Sequence, residues 1–549
     1  MASRAPGAAP GAAWAARGEV RAKIVGGEPI EAMKTIMREL RSFGERIDVH
    51  SLPIDTSMYY KNPGEFGAAL RAIATAPGVA EAERRVRTHE VAEFASIVAE
   101  RGRAFLALGQ PARALQDLQG AVGMHAEHDA LVLQALDTAR TQVGAAAEEE
   151  RQAAHAAKVP VTVLTGFLGA GKTTLLNYIL RADHGRRYAV IENEVGQIGI
   201  DNQLLNSAGM AARTEETVTL LDNGCLCCTV RSDLITAIHQ IIDRADALAA
   251  NELAAAAAHG GGDAAPRRAL DAILIETTGM ADPGPVCKTF YAEDKLRERT
   301  RVDGVLTVVD ALHFERQLQR LRSAGAVNES AQQVAFADAV LLNKADAADP
   351  AVLEAAEAAI KCINAGCPIV RCSLATRPHD VPLAELLGAD SFCLDRVLQD
   401  FLSPEPALAL PGAPPAKRLR GGTVADFCSP WQASRSRHDT GVATCAFSLE
   451  GAPLVLERFL QVMNTIRAEN AVDLYRYKGV VCVKEPSGAL KRAVFQGVHD
   501  LCQFEPRGKW PGAEPPKSQL VFIGRQLDQA LWGRLLEKTK DGALEDRGA

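Results

Sequence analysis

The residues best equipped for chemistry lie in GFLGAGKTT, residues 166–174, which matches G-x-x-x-x-G-K-[ST] at every required position. Gly166, Gly169 and Gly171 leave no side chains in the way. Backbone N–H groups there, with that of Ala170, can curl around phosphate oxygens, and the helix that follows adds its partial positive charge. Lys172 is placed to reach the β- and γ-phosphates and Thr173 to ligate Mg²⁺, with Thr174 as a supporting phosphate contact. The runs VTVLT before and LLNYIL after supply the strand and helix this mechanism requires. The chain is read as nucleotide-binding.

Base choice is expected from AVLLNKAD, in which Asn343, Lys344 and Asp346 follow an apolar strand at N-K-x-D spacing. A buried carboxylate at Asp346 would accept hydrogen bonds from guanine N1–H and N2–H₂, donors that adenine does not present in that arrangement. GTP is favoured over ATP, the bland alternative being a helix cap by Asp346. In ILIETTGMADPGPV, residues 273–286, a strand ends on Glu276, where P-loop proteins place a second group for Mg²⁺ or the attacking water. Gly279 can bring its N–H to the γ-phosphate. The first switch, IENEVGQIGIDNQLL, adds Glu192, Glu194 and Asp201 as candidates to position that water. With Lys172 and Glu276, Glu192 and Asp201 make up the expected catalytic set.

A third constellation is LLDNGCLCCTVRSDL, where Cys225, Cys227 and Cys228 form a C-x-C-C cluster before a helix expected to start near Ser232. Three close thiols can bind a soft or borderline cation such as Zn²⁺ or Cu(I), and a helix N-terminus favours thiolates. Zinc normally takes four ligands, so Glu192, Glu194, another side chain or water is implied as the fourth. The alternative is three small buried cysteines, or a redox site.

These motifs, with LYRYKG, FQGV and LVFIGRQLD near the C-terminus, occur in the order seen in CobW-type metal-chaperone GTPases, relatives of the urease and hydrogenase nickel-insertion GTPases. The resemblance covers about 158–540. It implies slow GTP hydrolysis, a metal site at the C-x-C-C cysteines, and transfer of zinc, or alternatively cobalt, to a metal-dependent client protein. Two departures stand out. Gln197 replaces the last Glu of the family's N-E-x-G-E switch, and AAHAAKVPVTV replaces the Cys-Pro-rich docking motif of the eukaryotic zinc-delivery branch. A nucleotide-switched adaptor with structural cysteines, and a cobalt-handling protein of cobalamin biosynthesis, are the competing readings.

These sites need scaffolds. From Val159, short β-rich runs (VTVLT, YAVIE, DAILIE, GVLTVVD, AVLLN, PIVRC) alternate with helices, which implies a doubly wound, mainly parallel α/β domain over 158–402. Residues 245–269 read as an Ala/Gly-rich insert that extends a helix, and 403–424 as a Pro-rich linker. Residues 425–541 read as an α+β domain with strands near 442–449, 474–484, 489–498 and 518–524 and helices 452–467 and 527–540. There Arg476, Lys478 and Arg525 are candidates to touch nucleotide, partner or the GTPase domain. Residues 21–157 read as an α-helical region, with helices near 30–43, 64–75, 80–95 and 129–157. Near 95–128, Gly102, Phe105, Gly109, Ala114, Leu118 and Ala121 fall on the small and apolar positions of a tetratricopeptide repeat, suited either to a peptide partner or to capping the GTPase domain.

Residues 1–20, rich in alanine and without an acid before Glu19, read as a disordered tail or a short transit peptide. A formal charge of −7 offers no basic field for nucleic acid, and no apolar run approaches the ~20 residues of a membrane span. Twelve cysteines without a secretory leader suit reduced thiols and a cytoplasmic setting. A homodimer is compatible with all of this.

Overall fold

The computed structural model describes residues 12–47, 81–126, 129–182, 186–193, 217–221, 228–258, 270–320, 327–402, 441–512 and 514–543, with 69 and 72. The chain divides into two compact units, Met1–Ala156 and Ala157–Ala549. Among the described residues, no helix is long and apolar enough to cross a membrane.

The first unit is helical: α1 (Ala12–Val25), α2 (Pro29–Ile47), α3 (Glu81–Ala107), α4 (Pro111–Ala121) and α5 (Ala130–Ala157). Its core gathers Ile36, Leu40, Phe43, Phe94, Val98, Leu118 and Val132. α3 and α4 approach closely because Gly102 has no side chain; a Cβ there would lie 2.7 Å from Leu118 Cγ. Gly109 turns the chain at φ +70°, and Pro111 opens α4.

α1 begins inside the segment read as tail or transit peptide; Val20 is buried, and Arg21 pairs with Glu100 at 2.6 Å and Asp129 at 3.2 Å. The helix expected over 80–95 also runs on unbroken into the repeat-like segment, since no Gly or Pro separates them. The helix expected over 64–75 lies largely outside the described residues.

In the second unit, β1 (Val159–Thr165), β2 (Tyr188–Asn193), β3 (Thr217–Leu221), β4 (Ala272–Glu276), β5 (Thr300–Asp310), β6 (Ala339–Asn343) and β7 (Ile369–Arg371) form a parallel sheet of order β3-β2-β4-β1-β5-β6-β7. Helices cover both faces, which is why these strands read as continuous apolar runs. α6 (Lys172–Arg181) buries Leu175, Leu176 and Ile179 on one face. α7 (Cys228–Ala258), α8 (Gly284–Ala292), α9 (Glu329–Phe336) and α10 (Pro350–Ile363) cover the other through Ile238, Phe290, Phe336 and Ile360. α7 starts at Cys228 rather than near Ser232, and it carries the insert in helical form as far as Ala258. The rest of the insert and the 403–424 linker lie outside the described residues.

After α11 (Leu394–Leu402) comes a mainly antiparallel sheet of order β12-β11-β10-β13-β8, made of β8 (Val442–Glu450), β10 (Leu474–Lys484), β11 (Leu490–Val498), β12 (Leu501–Lys509) and β13 (Lys517–Arg525), with β9 (Leu454–Val455) beside β10. One face packs α12 (Leu456–Glu469) and α13 (Gln529–Glu537) around Phe459, Phe495, Phe522 and Trp532. From the other, Tyr475, Val498, Val521 and Ile523 join the core of the α/β domain. Arg476 fastens the two sheets together. It reaches Asp338 at 2.6 Å and the Phe336 carbonyl at 2.9 Å, and it stacks on Phe392 at 4.4 Å. Of the contacts open to Arg476, the geometry selects the α/β domain.

Candidate functional site

The loop after β1 turns through three glycines at positive φ, Gly166 at 143°, Gly169 at 73° and Gly171 at 112°. Space as well as backbone angle demands glycine here. A Cβ on Gly166 would lie 2.2 Å from the Val308 carbonyl, and one on Gly171 would lie 2.4 Å from Asn343 Nδ2. The loop therefore lies flat on β5 and against the end of β6. Lys172 opens α6 with its ammonium buried and donating to the Gly166 carbonyl at 2.9 Å. Burial pushes its pKa down against the raising influence of Glu276, so an anion beside it would be favoured.

One residue on, Thr173 Oγ1 lies 3.3 Å from Glu276 Oε1. Both donors are hard oxygens, the set that Mg²⁺ takes. In register, Glu276 faces Glu192 on β2 and Leu164 on β1, so two carboxylates share one face beside the phosphate loop. Glu192 is buried. On its other side it pairs in register with Leu220 of β3, the strand that ends at Leu221. Cys228 opens α7. Glu194, Asp201, Cys225 and Cys227 lie outside the described residues. The described cysteines Cys287, Cys367 and Cys372 are buried, burial pushing each thiol up to about 12, so they are inert core residues.

The N-K-x-D segment is tied into the same loop. Asn343 Nδ2 donates to the Ala170 carbonyl at 2.8 Å, and its Oδ1 accepts from Leu374 N–H at 2.9 Å. Lys344 takes a left-handed backbone, φ 62°, and donates to Asp310 Oδ2 at 2.7 Å. Asp310 ends β5 in register with Asn343 and also accepts from Leu312 N–H and holds His313 Nδ1 at 2.9 Å. Burial raises the Asp310 pKa, but Lys344 and His313 outweigh it and hold the carboxyl below its usual value. Asp346 is exposed rather than buried as expected. Its carboxylate accepts from Thr376 Oγ1 at 2.9 Å, which together with Ser373 lowers its pKa. It is therefore ionised and open to a base edge.

Gly279 presses on the phosphate loop; a Cβ there would lie 2.8 Å from the Leu168 nitrogen. All these groups sit at the carboxyl ends of parallel strands, where doubly wound sheets bind ligands.

Residues 160–371 match the CobW/HypB/UreG nucleotide-binding domain, and residues 442–540 match the Cobalamin synthesis protein cobW C-terminal domain. The chain is 32% identical to the zinc chaperone YjiA of Escherichia coli over 68% of its own length and 95% of that protein's. It belongs to the CobW family. Within it, the chain is also similar to the zinc-regulated GTPase metalloprotein activator 1 of Schizosaccharomyces pombe, at 30% identity over 67% of this chain and 83% of that one. The zinc chaperone CobW of Pseudomonas aeruginosa matches at 32%, over 68% and 89%. The α/β unit is a P-loop GTPase domain of CobW type, with the CobW C-terminal sheet docked on it.

Two residues of this CobW-type site were missed in the sequence. Asp310 carried a readable signal, an acid ending an apolar strand. Gln333, whose amide Nε2 donates to the Gly279 and Ala281 carbonyls at 3.2 and 3.1 Å, carried none.

Proposed function

We propose that this chain is a GTP-hydrolysing metallochaperone that binds zinc at Cys225, Cys227 and Cys228 and passes it to a client protein under nucleotide control. The observation that carries the reading is the placement of the buried Lys172 ammonium and the Thr173–Glu276 pair at the head of α6, with Asn343 tying the base-reading segment to the same loop. Gly166, Gly169, Ala170, Gly171, Lys172 and Thr174 hold phosphates, and Gly279 meets the γ-phosphate. Thr173 and Glu276 hold Mg²⁺, which supplies charge neutralisation at the phosphates. Lys344 flanks the base and Asp346 reads guanine. Glu192, Glu194 or Asp201 orders the attacking water, and turnover is slow.

Zinc is the cargo, supported by the zinc chaperones among the relatives. Glu192 or Glu194 supplies the further ligand at the cluster. The register of Glu192 against β3, whose end at Leu221 lies close in sequence to Cys225, supports that choice. Residues 21–157 form a tetratricopeptide-like region, densest near 95–128, that takes a peptide partner; the close α3–α4 approach at Gly102 supports it. Residues 158–402 and 425–541 are the GTPase and C-terminal domains, and the protein works in the cytoplasm.

The test is calorimetry with Mg²⁺ of GTP and ATP against wild type and Asp346→Ala. The reading requires wild type to prefer GTP and the variant to lose that preference through weaker GTP binding. Equal affinity of wild type for both nucleotides would reject it.

A further inference from the structure

Gln333 is 1% exposed, in the middle of α9, and belongs to no nucleotide motif. Its amide nitrogen spends both donors on one segment, on the carbonyls of Gly279 and Ala281. With two carbonyls as partners, the amide can point only one way. Its Oε1 is buried without a hydrogen-bond partner, a costly arrangement that a structural glutamine would avoid.

The helix that carries it is held fast. Thr307 Oγ1 on β5 donates to the Gln333 carbonyl at 3.0 Å. At the far end of α9, the Phe336 carbonyl accepts from Arg476 and the Phe336 ring stacks on Tyr475, centroids 5.5 Å apart. Gln333 thus sits on an anchored helix, and Gly279–Ala281 is the segment it holds. On its other side that segment lies against the phosphate loop at Leu168.

We propose that Gln333 is a positioning residue that holds Gly279–Ala281 where the γ-phosphate is read, and thereby sets the preference for GTP over GDP. This rests on Gly279 being the γ-phosphate contact. Without the two hydrogen bonds the segment samples other positions, and the bound conformation must be ordered by the nucleotide itself, at a cost in affinity. GDP, which lacks the γ-phosphate, is spared that cost.

The experiment measures GDP and a non-hydrolysable GTP analogue by calorimetry, with Mg²⁺, on the full chain carrying Gln333→Met or Gln333→Glu. Methionine keeps the volume without donors; glutamate keeps the polar shape and, protonated in this buried site, offers one donor at most to the two carbonyls, so it carries the test if the methionine variant melts early. In either variant GDP affinity stays within about twofold of wild type while analogue affinity falls about tenfold, as expected for one or two lost hydrogen bonds. Equal losses for both nucleotides, or no loss for either, overturn the proposal. Wild type that binds the analogue no better than GDP shows a failure of the γ-phosphate reading itself, visible before any substitution, and removes the proposal with it.

Discussion

Asn343 Nδ2 donates to the Ala170 carbonyl across 2.8 Å, so the N-K-x-D segment and the P-loop form one hydrogen-bonded body. Its Oδ1 is equally engaged by Leu374 N–H. Asn343→Ala leaves a buried carbonyl and a buried N–H without partners, a cost of about 1–3 kcal/mol for each group that water cannot reach. Denaturant unfolding should show a loss on that scale, and GTP affinity should fall with it. A variant as stable as wild type would show that the tie is incidental.

Lys172 gives a pH signature. Burial lowers its pKa below the usual 10.5, so between the two values the unfolded chain binds more protons and stability rises with pH. Bound phosphate reverses the shift by favouring the ammonium. GTP binding should therefore take up protons in that alkaline window, and affinity should fall as pH rises through it. Calorimetry in two buffers of different ionisation enthalpy reads the uptake. Lys172→Arg, always charged, should abolish it, and Lys172→Ala should cut single-turnover hydrolysis by about 10²–10³-fold, the range for losing a charge-stabilising group. Uptake that persists in the arginine variant would assign the proton elsewhere.

Legibility in the sequence followed local pattern. The glycines, Lys172 and the N-K-x-D residues were readable because their chemistry is fixed by spacing along the chain, and six strands of the parallel sheet were readable as buried apolar runs. β3 was hidden because TVTLL is short and lies at the sheet edge, just before the cysteine motif. β12 was hidden because LCQFEPRGK is polar and carries Pro506, tolerated there because the strand is at an edge. Asp310 and Gln333 act across the fold, on Lys344 and on Gly279, and contacts of that kind leave no periodicity. The exposure of Asp346 likewise depends on how the segment around Thr376 packs, which no residue spacing announces.

The central claim is that metal and nucleotide are read by one coupled site, since Glu192 faces Glu276 on one neighbouring strand and β3, which leads to the cysteines, on the other. Zn²⁺ titrated into the full chain, loaded with either a non-hydrolysable GTP analogue or GDP, measures this directly. Zinc affinity should differ between the two forms by about 1–3 kcal/mol, the usual range for linked sites, with the same factor appearing in nucleotide affinity with and without zinc. Cys227→Ser should remove the bound zinc. Equal zinc affinity in both nucleotide forms, or unchanged stoichiometry in Cys227→Ser, would contradict the account.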